Sequence, residues 1–138
     1  MMSRVEELMR VGHWDEAHQE LQRELLKQPS CAKAHAYQGL CYYRQGRFEE
    51  AIAPLSKAIA LDEGYWEAGT KLAQALDRLL RFEEALEVAE NFLLQRPSDP
   101  TLLHLRAGLQ RSVPEKLTDS WQKSKQLDWY QVELTHSD

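Results

Sequence analysis

Five histidines, two cysteines and three pairs of adjacent acids are the groups of this 138-residue chain from which chemistry could be built. His13, His18, His35, His104 and His136 would have to cluster to hold a metal ion. No two lie four residues apart, the spacing that puts two ligands on one helical face, and none stands at finger-like spacing from a cysteine. No metal site is expected. Cys31 and Cys41 fall ten residues apart on one expected helix. At ~1.5 Å per residue they are about 15 Å apart, beyond the reach of a disulfide. Cys41 reads as a small core residue and Cys31 as part of the helix's first turn.

The acid pairs Asp15/Glu16, Glu49/Glu50 and Glu83/Glu84 have the right chemistry for acid–base catalysis. They recur every 34 residues, however, and a catalytic centre is needed only once. A carboxylate in the first turn of a helix faces the positive end of its dipole, which explains the recurrence without a substrate. There is no nucleophile elbow and no glycine-rich phosphate loop. The chain therefore reads as non-enzymatic, with no catalytic residue and no cofactor. Arg10, Arg44 and Arg78 also recur at 34. Guanidinium groups in a row suit carboxylates and stack on rings, but a cation at a helix end is favourable without any ligand. Both roles stay open at this level.

The elements that carry these residues are set by the same offset. Gly12-His13-Trp14-Asp15-Glu16-Ala17, Gly46-Arg47-Phe48-Glu49-Glu50-Ala51 and Leu80-Arg81-Phe82-Glu83-Glu84-Ala85 align in phase. Each reads as a junction between two helices. Glycine ends the first, where positive φ is wanted, an aromatic packs between them, and acids open the second. At Leu80 the missing glycine predicts either a strained left-handed turn or a turn of another shape. Upstream, Val5, Leu8 and Met9, then Ala36, Gly39 and Tyr43, then Leu72, Ala73 and Leu76 keep helical spacing. Downstream, Ala17, Leu21 and Leu25, then Ala51, Leu55 and Ala58, then Ala85, Ala89 and Leu93 do the same. The second helices are expected to end near Pro29, Glu63 and Pro97. Ser3, Ser30 and Ser112 read as caps, Ser3 with Glu6 at capping-box spacing. Pro54 should kink its helix. Asp99-Pro100 opens a seventh helix, and Ser112-Val113-Pro114-Glu115 an eighth carrying Leu117 and Trp121.

The stretch 34–52, with Gly39, Tyr42, Gly46, Phe48, Ala51 and then Ala58 at the small and aromatic positions, resembles the tetratricopeptide repeat signature. His35 and Gln38 stand where that family has tryptophan and leucine. The resemblance implies an all-α fold, a right-handed solenoid of antiparallel helix pairs. It would hold three repeats over about 1–30, 31–64 and 65–98, a degenerate fourth pair capping the open end over about 99–126, and an aromatic tail, 127–138. It further implies a concave groove lined by first helices, which would take a protein or peptide ligand. Carried over by position, the groove is Met9, Arg10, Leu40, Tyr43, Arg44, Gln74 and Arg78, flanked by Glu6, Lys33, Ala36, Glu67, Thr70, Asp77, His104 and Arg111. Relatives that grip the terminal aspartate of chaperones use a lysine and an asparagine in the first repeat, an asparagine in the second, and a lysine and an arginine in the third. Here those places hold Met2 and Glu6, then Leu40 or Tyr37, then Glu67 and Lys71. No such clamp is expected.

A net charge of −5 disfavours nucleic acid and anionic membranes, which want clustered positive charge. No apolar run is long enough to span a bilayer, and the first residues lack the apolar stretch of a signal peptide, so a cytoplasmic protein is expected. The leading functional expectation is a non-catalytic protein–protein interaction scaffold. A self-assembling module, homo-oligomeric through the tail or the open solenoid end, is the second, and a small secretion-type chaperone the third.

Overall fold

A computed structural model describes residues 2–113. Seven helices succeed one another: α1 Met2–Arg10, α2 Trp14–Lys27, α3 Ala32–Arg44, α4 Phe48–Leu61, α5 Trp66–Arg78, α6 Phe82–Gln95 and α7 Pro100–Ser112, with no strand among the described residues. The expected eighth helix and the tail, with Trp121, Trp129 and Tyr130, lie outside the described residues. Each helix packs on the next, and α3 also meets α5 as α5 meets α7. The odd-numbered helices therefore line up side by side, which makes an all-α solenoid.

The three turns that follow α1, α3 and α5 are built alike. His13 N–H donates to the Leu8 carbonyl and Gly12 N–H to Met9; Arg47 donates to Tyr42 and Gly46 to Tyr43; Arg81 donates to Leu76 and Leu80 to Asp77, at 2.8–3.2 Å. This paired closure requires a left-handed residue after the helix. Gly12 and Gly46 sit at φ +83° and +78°, and Leu80 takes the same shape at φ +62°. The turn after α5 is thus the strained alternative, with a leucine side chain 73% exposed. The second acid of each pair fastens the turn. Glu16 pairs with His13 at 3.3 Å, Glu50 with Arg47, and Glu84 with Arg81 at 2.7 Å.

Two glycines permit close approach inside the hairpins. A Cβ on Gly39 would stand 2.4 Å from Leu55 Cγ, and one on Gly69 would stand 2.3 Å from the Phe92 ring. The core divides into three clusters, one of which joins Phe92, Leu93 and Leu102 of α6 and α7. An amino-terminal cluster joins Val5, Leu8, Met9, Ala17 and Leu21 to Ala34 and Cys41. A central cluster runs from Ala36 through Leu55, Leu72, Leu76 and Leu86 to Leu109 and Val113. Each buried leucine contributes roughly 2 kcal/mol.

Several boundaries differ from expectation. The second helices end at Lys27, Leu61 and Gln95, two residues earlier than expected but still 34 apart. Ser3 and Ser30 do not cap, and the helix that Ser112 is expected to open lies outside the described residues. Ser3 lies within α1, Cys31 precedes α3 without a side-chain cap, and Ser112 closes α7 with its hydroxyl on the Gly108 carbonyl. Asp99 does cap: its Oδ1 accepts from Leu102 N–H at 3.1 Å, while Arg96 holds its other oxygen. Helix α4 continues through Pro54. Val113 is extended because Pro114 comes next.

Candidate peptide-binding groove

The odd-numbered helices present a common face, because a period of 34 returns each residue to the same orientation. Glu6, Leu40 and Gln74 share one phase, Tyr37 and Lys71 another, and Arg10, Arg44 and Arg78 a third. Two depressions join on this face. One, about 300 Å³, is lined by Glu6, Met9, Tyr37, Leu40 and Arg44, between α1 and α3. The other, about 340 Å³, lies between α3 and α5, walled by Tyr37, Leu40, Tyr65 and Trp66, with Lys71, Gln74 and Thr101 of α7 completing it. Tyr37 and Leu40 belong to both, so the two form one groove.

The aromatic walls are held in place. Tyr37 donates its hydroxyl to Glu6 at 2.9 Å across the α1–α3 gap. Burial first, then that carboxylate, pushes the phenol up to about 12. The Arg96 guanidinium lies 4.0 Å from the centre of the Trp66 ring and is fixed in turn by Asp99. Both rings are therefore pre-positioned, which lowers the ordering cost of a ligand.

Polar groups also line the groove. Gln74 Oε1 is buried and has no hydrogen-bond partner among the described residues. Lys71 Nζ lies 4.9 Å over the Tyr43 ring, and Tyr43 in turn packs edge-on against Phe48 at 5.2 Å. Burial, and then the charge of Arg44, lower the Lys71 pKa.

The arginine row divides. Arg10 pairs with Glu7 on its own helix. Arg4 and Arg23 share Glu20, while Arg47, Arg81, Arg96 and Arg106 each have their own carboxylate. Among the described residues no carboxylate pairs with Arg44, Lys71 or Arg78, and Arg78 rests 5.7 Å from the Phe48 ring centre. Of the residues expected at the groove by position, Glu6, Met9, Ala36, Leu40, Arg44, Glu67, Thr70 and Gln74 line these depressions. Tyr43 and Arg78 lie beside them through Lys71 and Phe48. Tyr65 and Trp66 line the second depression and are not singled out by position in the repeat; Tyr37 and Lys71, which stand at clamp positions, line it as well.

Elsewhere the reactive groups are quiet. Cys41 is buried, which pushes its thiol up to about 11. Among the described residues no group of three histidine, cysteine or acidic side chains could hold a metal, and no helix is long and apolar enough to cross a membrane.

The sequence matches two family models described as tetratricopeptide repeat, over residues 3–65 and 42–109. Human zinc finger CCCH domain-containing protein 7B is 28% identical over 112 residues, a match that takes in 81% of this chain and 11% of that protein. The chain thus spans about a tenth of that relative's length. The fold is similar to the second TPR domain of human RPAP3 in complex with the HSP70 peptide SGPTIEEVD. The TM-score is 0.74 at 22% identity, with 79% of this chain and 91% of that one covered. It is similar also to the first TPR of Spaghetti (RPAP3) bound to the HSP90 peptide SRMEEVD, with TM-score 0.76, 20% identity, and 80% and 87% covered. The Arabidopsis OM64 TPR domain gives TM-score 0.75 at 16% identity, with 80% and 92% covered.

Proposed function

The chain belongs to the tetratricopeptide repeat family, and from that premise we propose that it is a non-catalytic protein-interaction scaffold holding a peptide in the groove along α1, α3, α5 and α7. The observation that carries this reading is the cavity of about 340 Å³ between α3 and α5, whose Tyr37 and Trp66 rings are fixed by Glu6 and Arg96. Leu40, Tyr65 and Trp66 supply apolar contact for one large side chain of the ligand. Similar folds in complex with HSP70 and HSP90 peptides support a peptide ligand.

A grip on a terminal acidic motif is not part of this proposal, because Glu6 and Glu67 stand where such a grip needs donors. Affinity capture from the native cell extract tests the groove. Capture by the full chain is expected to fall at least tenfold in Arg44→Glu with Leu40→Ala, with helicity by circular dichroism unchanged. Equal capture by the two proteins removes the groove assignment.

A further inference from the structure

Among the described residues no carboxylate pairs with Arg44, Lys71 or Arg78, and Arg44 and Arg78 close their helices at one edge of the solenoid. Helices α3, α5 and α7 end at Arg44, Arg78 and Ser112, again 34 apart, so the chain leaves α7 at the edge that carries Arg44 and Arg78. Neighbouring helices pack about 10 Å apart, which places α3 about 20 Å from α7. The thirteen residues 114–126 can span up to about 43 Å. The segment beyond them, Leu127-Asp128-Trp129-Tyr130-Gln131-Val132-Glu133-Leu134, complements the groove in composition. It has two acids, two large aromatics and no cation. Two open cations and an aromatic-walled cavity want those features.

We propose that segment 127–134 is the groove's own ligand in cis, with the Trp129 ring in the 340 Å³ cavity and the Asp128 carboxylate on Arg44 and Lys71. This rests on the reading of that face as a peptide groove and adds a regulator to it. An outside ligand must displace the segment, so its apparent affinity falls by the fraction of molecules whose groove is open.

The probe is a labelled synthetic peptide with the sequence of 126–135, titrated by fluorescence anisotropy into three full-length proteins. They are wild type, Asp128→Ala with Trp129→Ala, and that pair with Lys71→Glu added. The pair is expected to bind the peptide at least tenfold more tightly than wild type, and Lys71→Glu to remove that binding. Lys71→Gln keeps the stem over Tyr43 and is expected to weaken binding at least threefold, should Lys71→Glu not fold. Equal binding to wild type and the pair overturns the proposal, as does binding indifferent to both Lys71 substitutions. A wild type that is dimeric by light scattering, and monomeric once Asp128 and Trp129 are replaced, overturns the arrangement in cis.

The tail and the scaffold fail by different results. Absence of peptide binding, alongside extract capture that still depends on Arg44 and Leu40, overturns the tail and leaves the scaffold. Peptide binding alongside capture that ignores Arg44 and Leu40 supports the tail and overturns the scaffold.

Discussion

The hairpins α3–α4 and α5–α6 solve the same two problems, and they differ in one answer. Each must bring its helices together at the waist, and each places a glycine there, Gly39 against Leu55 and Gly69 against Phe92. Each must also turn through a left-handed residue. One uses Gly46, at φ +78°, and the other uses Leu80, at φ +62°. The contrast separates two kinds of constraint. Overlap at the waist is steric, since the neighbouring side chain already fills the space where a Cβ would go. The turn is conformational, and a left-handed leucine costs only ~1–2 kcal/mol. The paired closure through Arg81 and Leu80, the Arg81–Glu84 ion pair and the packing of α5 on α6 outweigh that cost.

Filling the waist breaks the comparison most severely. Gly69→Val is expected to destabilise by about 3 kcal/mol, because the Phe92 ring must leave its place, and Gly39→Val by a similar amount. The check is the urea midpoint at constant slope; a loss below about 1 kcal/mol in both would show that the hairpins can open without penalty. Exchanging the turn residues sharpens it. Gly46→Leu is expected to cost ~1 kcal/mol, all of it conformational, since a Cβ there meets nothing within 4 Å. Leu80→Gly is expected to stabilise by ~0.5–1 kcal/mol, because relief of strain exceeds the added freedom of the unfolded chain. Thermal melts of both variants read this directly, and a destabilised Leu80→Gly would assign the exposed leucine a contact role.

Smaller effects test the caps and the split core. The Asp99 carboxyl is held below its usual pKa, chiefly by the Leu102 N–H and then by Arg96. A depressed folded pKa adds stability above the unfolded value, and that stability is lost as pH falls through the folded value. Asp99→Ala should therefore be less stable than wild type at neutral pH, with the gap shrinking below about pH 4. A gap independent of pH would leave only a neutral cap. For the cysteines, iodoacetamide at pH 8 is expected to modify half-buried Cys31 and spare buried Cys41, read by peptide mass mapping.

The repeat made most of the fold legible. One offset of 34 located six helices and three turns, because the same turn chemistry is written three times. The helix ends fall two residues before the expected ones, since Pro29 and Pro97 mark where a helix cannot continue rather than where it stops. The Ser30 cap failed for a related reason. A residue caps only if the turn leaves it just ahead of the helix, and the Cys31 N–H bond to Gln28 puts Cys31 there instead of Ser30. At the groove, Met9, Leu40, Arg44 and Gln74 come from phase alone. Tyr65 does not, because it precedes α5 and reaches the cavity only through the way α5 leans on α3. Nor can periodicity tell that Arg10 is occupied by Glu7 while Arg44 is not, because that depends on which acid each helix happens to carry one turn away.

Helix α3 is a party wall. Ala34 and Cys41 face the amino-terminal cluster, while Ala36 faces the central one. Under tension applied through the amino terminus the molecule should therefore yield in stages, not all at once. The nine-residue α1 and its partner α2 would peel away first at low force, leaving α3 seated on α4. A second, higher rupture would come when the Gly39–Leu55 and Gly69–Phe92 waists part.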